Sequence, residues 1–350
     1  MKLMYGFSKN GILTDALTRI KNPDAIIFLS NPDQLEQHAK EIAQCFPDIP
    51  SIGAISIGYA NQHTLSEGVI VYGFQDVTVA IDILDHLSTM PVRHIDRMTR
   101  ALRQIEPGDA DTICFDISVG NDTMLVATFN SVLENKNIPL VGGRSSGAIL
   151  ALNGSLYTDS CVFMFLKNNS GTIKTYRENI YVPTDKRFLA TKTNPNTNQV
   201  VEIDGRPAAT VYCEELGIGR EEAQTQTLTN PLGRVYGNET YLVSIQDISG
   251  QTLSCYKPIY NMDVLTIMEK GDYHQIIADT LETIYDDLPN CKGIFSINCI
   301  VRYQFLENEN YWPTYLNRMS DKCTHAGFVS YGEHFNRQHV NQTMCCFAFD

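Results

Sequence analysis

Short apolar runs recur along this chain, separated by polar loops and by stretches whose apolar residues fall at helical spacing. Three segments share that plan. The first runs from Asp24-Ala25-Ile26-Ile27-Phe28-Leu29-Ser30 to Val69-Ile70-Val71-Tyr72-Gly73-Phe74. The second runs from Asp111-Thr112-Ile113-Cys114-Phe115-Asp116 to Cys161-Val162-Phe163-Met164-Phe165-Leu166. The third runs from Lys292-Gly293-Ile294-Phe295-Ser296-Ile297 to Met344-Cys345-Cys346-Phe347-Ala348-Phe349. Each opens on an Ile- and Phe-rich run that predicts a buried strand, and each closes on another. Between them the spacing predicts a helix over 35–43 in the first segment, over 124–133 in the second, and, on a weaker pattern, around 315–319 in the third.

After the helix comes a turn of fixed internal spacing, G-x-x-S-x-G. It reads Gly53-Ala54-Ile55-Ser56-Ile57-Gly58, then Gly142-Gly143-Arg144-Ser145-Ser146-Gly147, then Gly327-Phe328-Val329-Ser330-Tyr331-Gly332. Glycine at a fixed place implies either positive φ or a close approach of chain to chain or chain to ligand. Serine at a fixed offset implies a hydroxyl bonded to local backbone. The stretch from 167 to 290 departs from this plan. Asn168-Asn169-Ser170-Gly171 and Asp204-Gly205 signal turns, 200–203 and 239–245 predict strands, and 206–212 opens a helix with Pro207 in its first turn. An amphipathic helix is predicted over 273–285, with Ile276, Ile277, Leu281 and Ile284 on one face. The fold class expected is α/β, with mixed sheets made from repeated β-α-β units and an inserted central segment.

Composition narrows the function. The chain has 350 residues, of which 43% are hydrophobic and 19% charged, a globular balance with ample material for a core. Forty acids against 27 bases give a formal net charge of −13. That field repels phosphate backbones and anionic lipid, which argues against nucleic-acid and membrane partners. The opening MKLMYGFSKNGILTDAL lacks a long apolar core and a small-residue cleavage site, so no secretory signal is predicted, and no apolar stretch is long enough to span a bilayer. Of ten cysteines, Cys114, Cys161, Cys345 and Cys346 sit inside apolar runs, where they act as small buried hydrophobes; reduced thiols in the cytoplasm are expected. There is no C-x-x-C pair, and no metal site is expected on that ground.

Several of these segments resemble the FIST family. Ile52-Gly53-Ala54-Ile55-Ser56-Ile57-Gly58 and Pro139-Leu140-Val141-Gly142-Gly143 are similar to its Gly-containing turns, and Glu202-Ile203-Asp204-Gly205-Arg206-Pro207-Ala208 with Val211-Tyr212 resembles the segment opening its second half. Ser296-Ile297-Asn298-Cys299-Ile300-Val301-Arg302, and Ser330-Tyr331-Gly332-Glu333 with His339, Asn341, Gln342 and Thr343, resemble its C-terminal signatures. The first turn departs from the family, with Ala54-Ile55 where Cys and Thr or Ser are common. The resemblance implies two packed halves, an N-terminal FIST region over 1–210 and a C-terminal one over 211–350. It implies a sensor of a small metabolite, amino acids being one class, that signals in trans to a partner such as a histidine kinase.

The candidate ligand-binding residues are Arg144, Ser145, Arg302, Tyr331, Glu333, His339, Asn341 and Gln342. The polar groups concentrate between two apolar segments, as in a loop at a pocket mouth, and a planar guanidinium suits a ligand carboxylate. An alternative implied by the family is a haem-binding nitric oxide sensor regulating a kinase. Its axial ligand would come from His325, His334, His339 or Cys299, and no C-x-x-C-H motif offers covalent attachment. A further alternative is a small-molecule enzyme. Gly143-Arg144-Ser145-Ser146-Gly147 fits the G-x-S-x-G elbow, with Asp204 and His339 as conceivable partners. Yet Ser145 is also the shared serine of the repeated turn, matching Ser56 and Ser330, which accounts for it without catalysis.

Overall fold

The computed structural model describes every residue of the chain except 109 and 238, and only the backbone at Asn135 and Glu239. It forms two compact units. The first comprises 1–178, 279–339 and 343–350; the second comprises 179–278 and 340–342. These units do not coincide with a sequential division at 210/211.

The first unit contains the three repeated segments. The opening repeat is β1 (Lys2–Ser8), α1 (Leu13–Leu17), β2 (Ala25–Ser30), α2 (Leu35–Cys45), β3 (Ser51–Ala54), the hairpin β4 (Gly58–Ala60) and β5 (His63–Leu65), and β6 (Val69–Gln75). The second follows the same order: β7 (Val77–Asp85), α3 (Ile95–Ile105), β8 (Thr112–Ser118), α4 (Leu125–Leu133), β9 (Leu140–Arg144), the hairpin β10 (Leu150–Leu152) and β11 (Ser155–Tyr157), and β12 (Ser160–Asn168). The third starts with β13 (Ile173–Asn179). It resumes with α5 (Tyr273–Asp287), whose start up to Ala278 groups with the second unit, then β14 (Gly293–Cys299), α6 (Ile300–Asn308), α7 (Trp312–Met319), β15 (Thr324–Ser330), the hairpin β16 (Glu333–Phe335) and β17 (Gln338–Val340), and β18 (Thr343–Phe349). The second unit, apart from 340–342, is thus an insertion that follows the third repeat's first strand.

Each repeat builds one six-stranded sheet, and each sheet is completed by another repeat's hairpin. The orders are β1-β6-β2-β3-β10-β11, β17-β16-β9-β8-β12-β7 and β13-β18-β14-β15-β4-β5. Within each, one pair is parallel: β2 with β3, β8 with β9, β14 with β15. The second repeat's hairpin closes the first sheet, the third's closes the second, and the first's closes the third. The exchange runs in a ring. The sequence pattern predicts β2, β8 and β14, the closing strands β6, β12 and β18, and helices α2, α4, α5 and α7; it does not mark α1, α3 or α6, and it reads these hairpins as polar loops.

The strands β2, β8, β14 and β18 are buried along their whole length, as expected of strands covered on both faces. Cys114, Cys345 and Cys346 are buried there as free thiols, and Cys161 is buried likewise on β12. Helix α2 turns Leu35, Ala39 and Ile42 inward, and α3 does so with Met98, Ala101, Leu102 and Ile105. An aromatic cluster joins the three sheets. Phe115 lies 5.7 Å from Phe295 and 6.2 Å from Phe347, while Phe74 lies 5.9 Å from Phe295, centroid to centroid. Such ring spacings favour edge-on contacts.

The second unit is a nine-stranded sheet. Its helix Ala208–Leu216 buries Ala208, Ala209, Val211 and Tyr212 and ends at Gly217, whose φ of +64° forms a left-handed cap. The predicted strand at 239–245 is two strands, Glu239–Val243 and Ile245–Ser249. No helix among the described residues is long and apolar enough to cross a membrane.

Candidate functional site

The three G-x-x-S-x-G turns follow the parallel strands β3, β9 and β15, and they bond to one another. The Ser145 hydroxyl donates to the Ile55 carbonyl (2.6 Å), which also accepts from the Ser146 N–H (3.1 Å). The Ser56 hydroxyl donates to the Val329 carbonyl, and the Val329 N–H donates back to the Ile57 carbonyl (2.9 Å). The Tyr331 N–H donates to the Arg144 carbonyl and the Arg144 N–H to the Gly332 carbonyl, each at 2.9 Å. Two of the shared serines therefore bond to backbone of another repeat rather than to local backbone. The third, Ser330, donates to Glu333 (2.5 Å).

The first glycine of each turn exists for close approach, not for positive φ. It pairs across the sheets with one residue of the parallel strand and one of the borrowed hairpin. These flanking pairs are Phe28 and Ala151 at Gly53, Asp116 and His334 at Gly142, and Ser296 and Tyr59 at Gly327. A Cβ on Gly53 would lie 2.2 Å from the Phe28 ring, and one on Gly142 would lie 1.8 Å from Asp116 Oδ1. One on Gly327 would lie 1.9 Å from the Ser296 carbonyl oxygen and 2.7 Å from the Tyr59 hydroxyl. The same position is thus filled by an apolar side chain, an ionisable pair and a neutral polar pair in turn.

At the second position Asp116 and His334 are both fully buried, and His334 Nδ1 lies 2.7 Å from Asp116 Oδ2. His334 Nε2 lies 3.2 Å from Asp122 Oδ2, and the half-buried His339 places Nε2 2.8 Å from the Asp122 carbonyl oxygen. The two imidazole centroids are 4.7 Å apart. Burial alone would lower the His334 pKa, but the adjacent Asp116 and Asp122 carboxylates override it and raise it to about 9. Next to it, burial pushes Glu333 up to about 7 against the hydrogen bonds from Ser330, Thr343 and Cys299. Asp116 and Asp122 were not singled out from the sequence. The available signal was a charged residue inside the apolar run Ile113-Cys114-Phe115-Asp116-Ile117.

Arg302 and His325 lie in a different buried network. Arg302 is fully buried on α6; its Nε donates to Asn298 (3.0 Å), Nη2 donates to the buried Glu178, and the guanidinium lies 5.4 Å from the Tyr315 ring centre. Asn298 donates to Tyr59 (2.8 Å) and Tyr315 (3.1 Å), and Tyr59 donates to the Ser296 carbonyl (2.8 Å). His325 Nε2 lies 2.7 Å from Ser296 Oγ, and burial lowers its pKa to about 3. This network holds β14, α7 and the borrowed β4 together. Arg302 is engaged internally, where a ligand carboxylate was expected.

Of the remaining candidates, Arg144 and Tyr331 are exposed neighbours, and the Arg144 guanidinium forms no ion pair or hydrogen bond among the described residues. Asn341 and Gln342 are buried and grouped with the second unit. Three of the four haem candidates already have polar partners. Both nitrogens of His334 face carboxylates, His325 is fully buried and bonded to Ser296, and Cys299 is buried beside Glu333. Ser145, His339 and Asp204, the residues of the conceivable relay, each have other partners. Ser145 donates to Ile55, His339 meets the Asp122 carbonyl, and Asp204 accepts from the Leu189 N–H (2.8 Å). The second unit carries its own cleft of about 480 Å³, lined by Thr210, Cys213, Glu214, Arg220 and Gln251 among others.

No curated protein matches the chain. Family models do. FIST domains are generally taken as small-ligand sensors in signal transduction rather than as enzymes. With the FIST N domain matching residues 24–206 and the FIST C domain matching residues 208–336, the chain belongs to the FIST family.

Proposed function

We propose that this protein is a cytoplasmic sensor that binds a small anionic metabolite, amino acids first among them, at the rim of the three joined turns. The reading is carried by Arg144. It stands exposed at the C-terminal end of a parallel strand, its guanidinium is uncommitted among the described residues, and two backbone hydrogen bonds tie it to Tyr331 and Gly332. Open α/β sheets place ligands at the carboxyl ends of their parallel strands. A planar guanidinium takes a carboxylate in a bidentate fork, and an adjacent aromatic ring covers the rest of a small ligand.

Because all three repeats bond at this hub, a ligand there touches a junction rather than one element. Signalling follows if the ligand favours one of two arrangements of the turns and a separate partner, such as a histidine kinase, reads the difference. The test is thermal unfolding of the purified protein against a panel of amino acids and small carboxylates. A ligand at about 100 times its Kd adds roughly 2.7 kcal/mol of stability. Arg144→Ala should then weaken the ligand about tenfold or more, and Tyr331→Ala less. Retained affinity in Arg144→Ala with loss in Arg220→Ala would overturn this site in favour of the second unit's cleft.

A further inference from the structure

We infer that Asp122, His334 and His339 form a binding site for a divalent first-row metal ion of the zinc type, with Asp116 orienting His334 behind it. The three candidate ligands each present one donor atom, and all three atoms lie within 4.8 Å of one another. His334 Nε2 and Asp122 Oδ2, at 3.2 Å, already have the separation of neighbouring ligands around one ion. Zinc bonds of about 2.0–2.1 Å place tetrahedral donors roughly 3.3 Å apart. No gap need close by more than about 1.5 Å, and His339, the half-buried member on a three-residue strand, is the one placed to move. Two imidazoles and one carboxylate leave a further coordination position for water or ligand.

The second observation is Asp116. It is fully buried and its Oδ2 meets Nδ1 of His334, on the far side of the ring from the nitrogen that faces Asp122. A metal-bound histidine commonly donates its other N–H to a carboxylate in this way, which fixes both tautomer and ring orientation. Among the described residues Oδ1 of Asp116 has no hydrogen-bond partner, and Gly142 supplies the space it occupies. On binding, His334 gives up its Nε2 proton to solvent, keeps Nδ1–H on Asp116, and takes the ion in the proton's place.

The repeats argue that this cluster is not merely structural filling. At the equivalent positions the first sheet is satisfied by Phe28 and Ala151, and the third by Ser296 and Tyr59. The fold therefore does not require a buried acid–imidazole pair there, and two carboxylates around one buried imidazole carry an excess of negative charge that a dication balances. The local sequence hides the site because Asp122 and His334 are 212 residues apart and meet only through the borrowed hairpin.

The experiment uses the full chain, stripped with chelator, dialysed, and titrated with Zn²⁺ and then with Co²⁺ as a spectroscopic reporter. The rival donors are the thiols of Cys291 and Cys323, 3.8 Å apart, so Cys291→Ser is the control. One equivalent of Zn²⁺ should bind and raise the unfolding midpoint, and Co²⁺ should give visible bands without thiolate charge transfer. His339→Ala should weaken binding at least tenfold, with its circular dichroism unchanged. Asp116→Asn should cost 10–100-fold in affinity while leaving stoichiometry at one, as expected of a positioning residue. Binding lost in Cys291→Ser and kept in His339→Ala would overturn the proposal, as would absence of binding to the folded wild-type protein.

Discussion

Where two backbones and a buried side chain converge on a glycine, a single methyl group decides whether the sheet closes. Gly142→Ala places its Cβ 1.8 Å from Asp116 Oδ1 and 2.5 Å from the Asp116 carbonyl oxygen; Gly327→Ala places it 1.9 Å from the Ser296 carbonyl oxygen. Backbone atoms cannot step aside cheaply, so each substitution should cost about 3 kcal/mol or more, read as a fall in urea midpoint. His325 makes a prediction of a different kind. Burial depresses its folded pKa to about 3, against an unfolded value near 6.5. Its contribution is therefore fully present above about pH 6.5 and is lost as pH falls toward the folded pKa, because the unfolded chain then binds the proton and the folded one does not. Between pH 7 and pH 4 the stability gap between wild type and His325→Gln should shrink by roughly 2–3 kcal/mol. A constant gap would show that His325 is protonated in place. None of the three announced its role locally. Gly142 and Gly327 were legible as a recurring motif, but whether the spacing served positive φ or close approach depends on what lies across the strands.

At the scale of elements, the sequence was most legible where both faces of a strand are covered. Residues 24–30, 111–116, 292–297 and the closing runs all show as apolar blocks, and α2, α4 and α5 show as helical spacing, because burial there depends only on the element's own side chains. The hairpins β4–β5, β10–β11 and β16–β17 were not legible. Each is three residues per strand and finds its partner in another repeat, so no local period marks it. For the same reason Arg302 looked like a ligand contact. A lone arginine after a strand carries no sign that Glu178, 124 residues away, waits for it. This buried pair predicts strong non-additivity. Arg302→Met alone leaves the Glu178 carboxylate buried without its cation and should cost about 3–5 kcal/mol, whereas Arg302→Met with Glu178→Leu should recover most of that loss. A double mutant as unstable as the sum of the single changes would show that Asn298, Tyr59 and Tyr315 depend on the guanidinium itself.

At the scale of the molecule, the ring of exchanged hairpins makes the three sheets of the first unit one cooperative body. Hydrogen exchange should therefore report a common opening free energy for β2, β8 and β14 despite their separation in sequence. Phe28→Ala, at a fully buried position of the first sheet, should lower protection in all three by about 3–5 kcal/mol. Protection lost in β2 alone would show that the sheets open independently. The ring also dictates an order of events during synthesis. The first sheet has all its strands once residue 157 has emerged, but the second waits for the hairpin that ends at Val340, and the third, which holds β4 and β5 from the opening repeat, waits for β15 and β18. Until then, the edge of β9 and the orphaned β4–β5 hairpin lie unpaired. Such edges recruit strands from other chains, so a growing polypeptide of this design depends on chaperone cover through most of its translation, and a crowded polysome is where hairpins would be traded between neighbours.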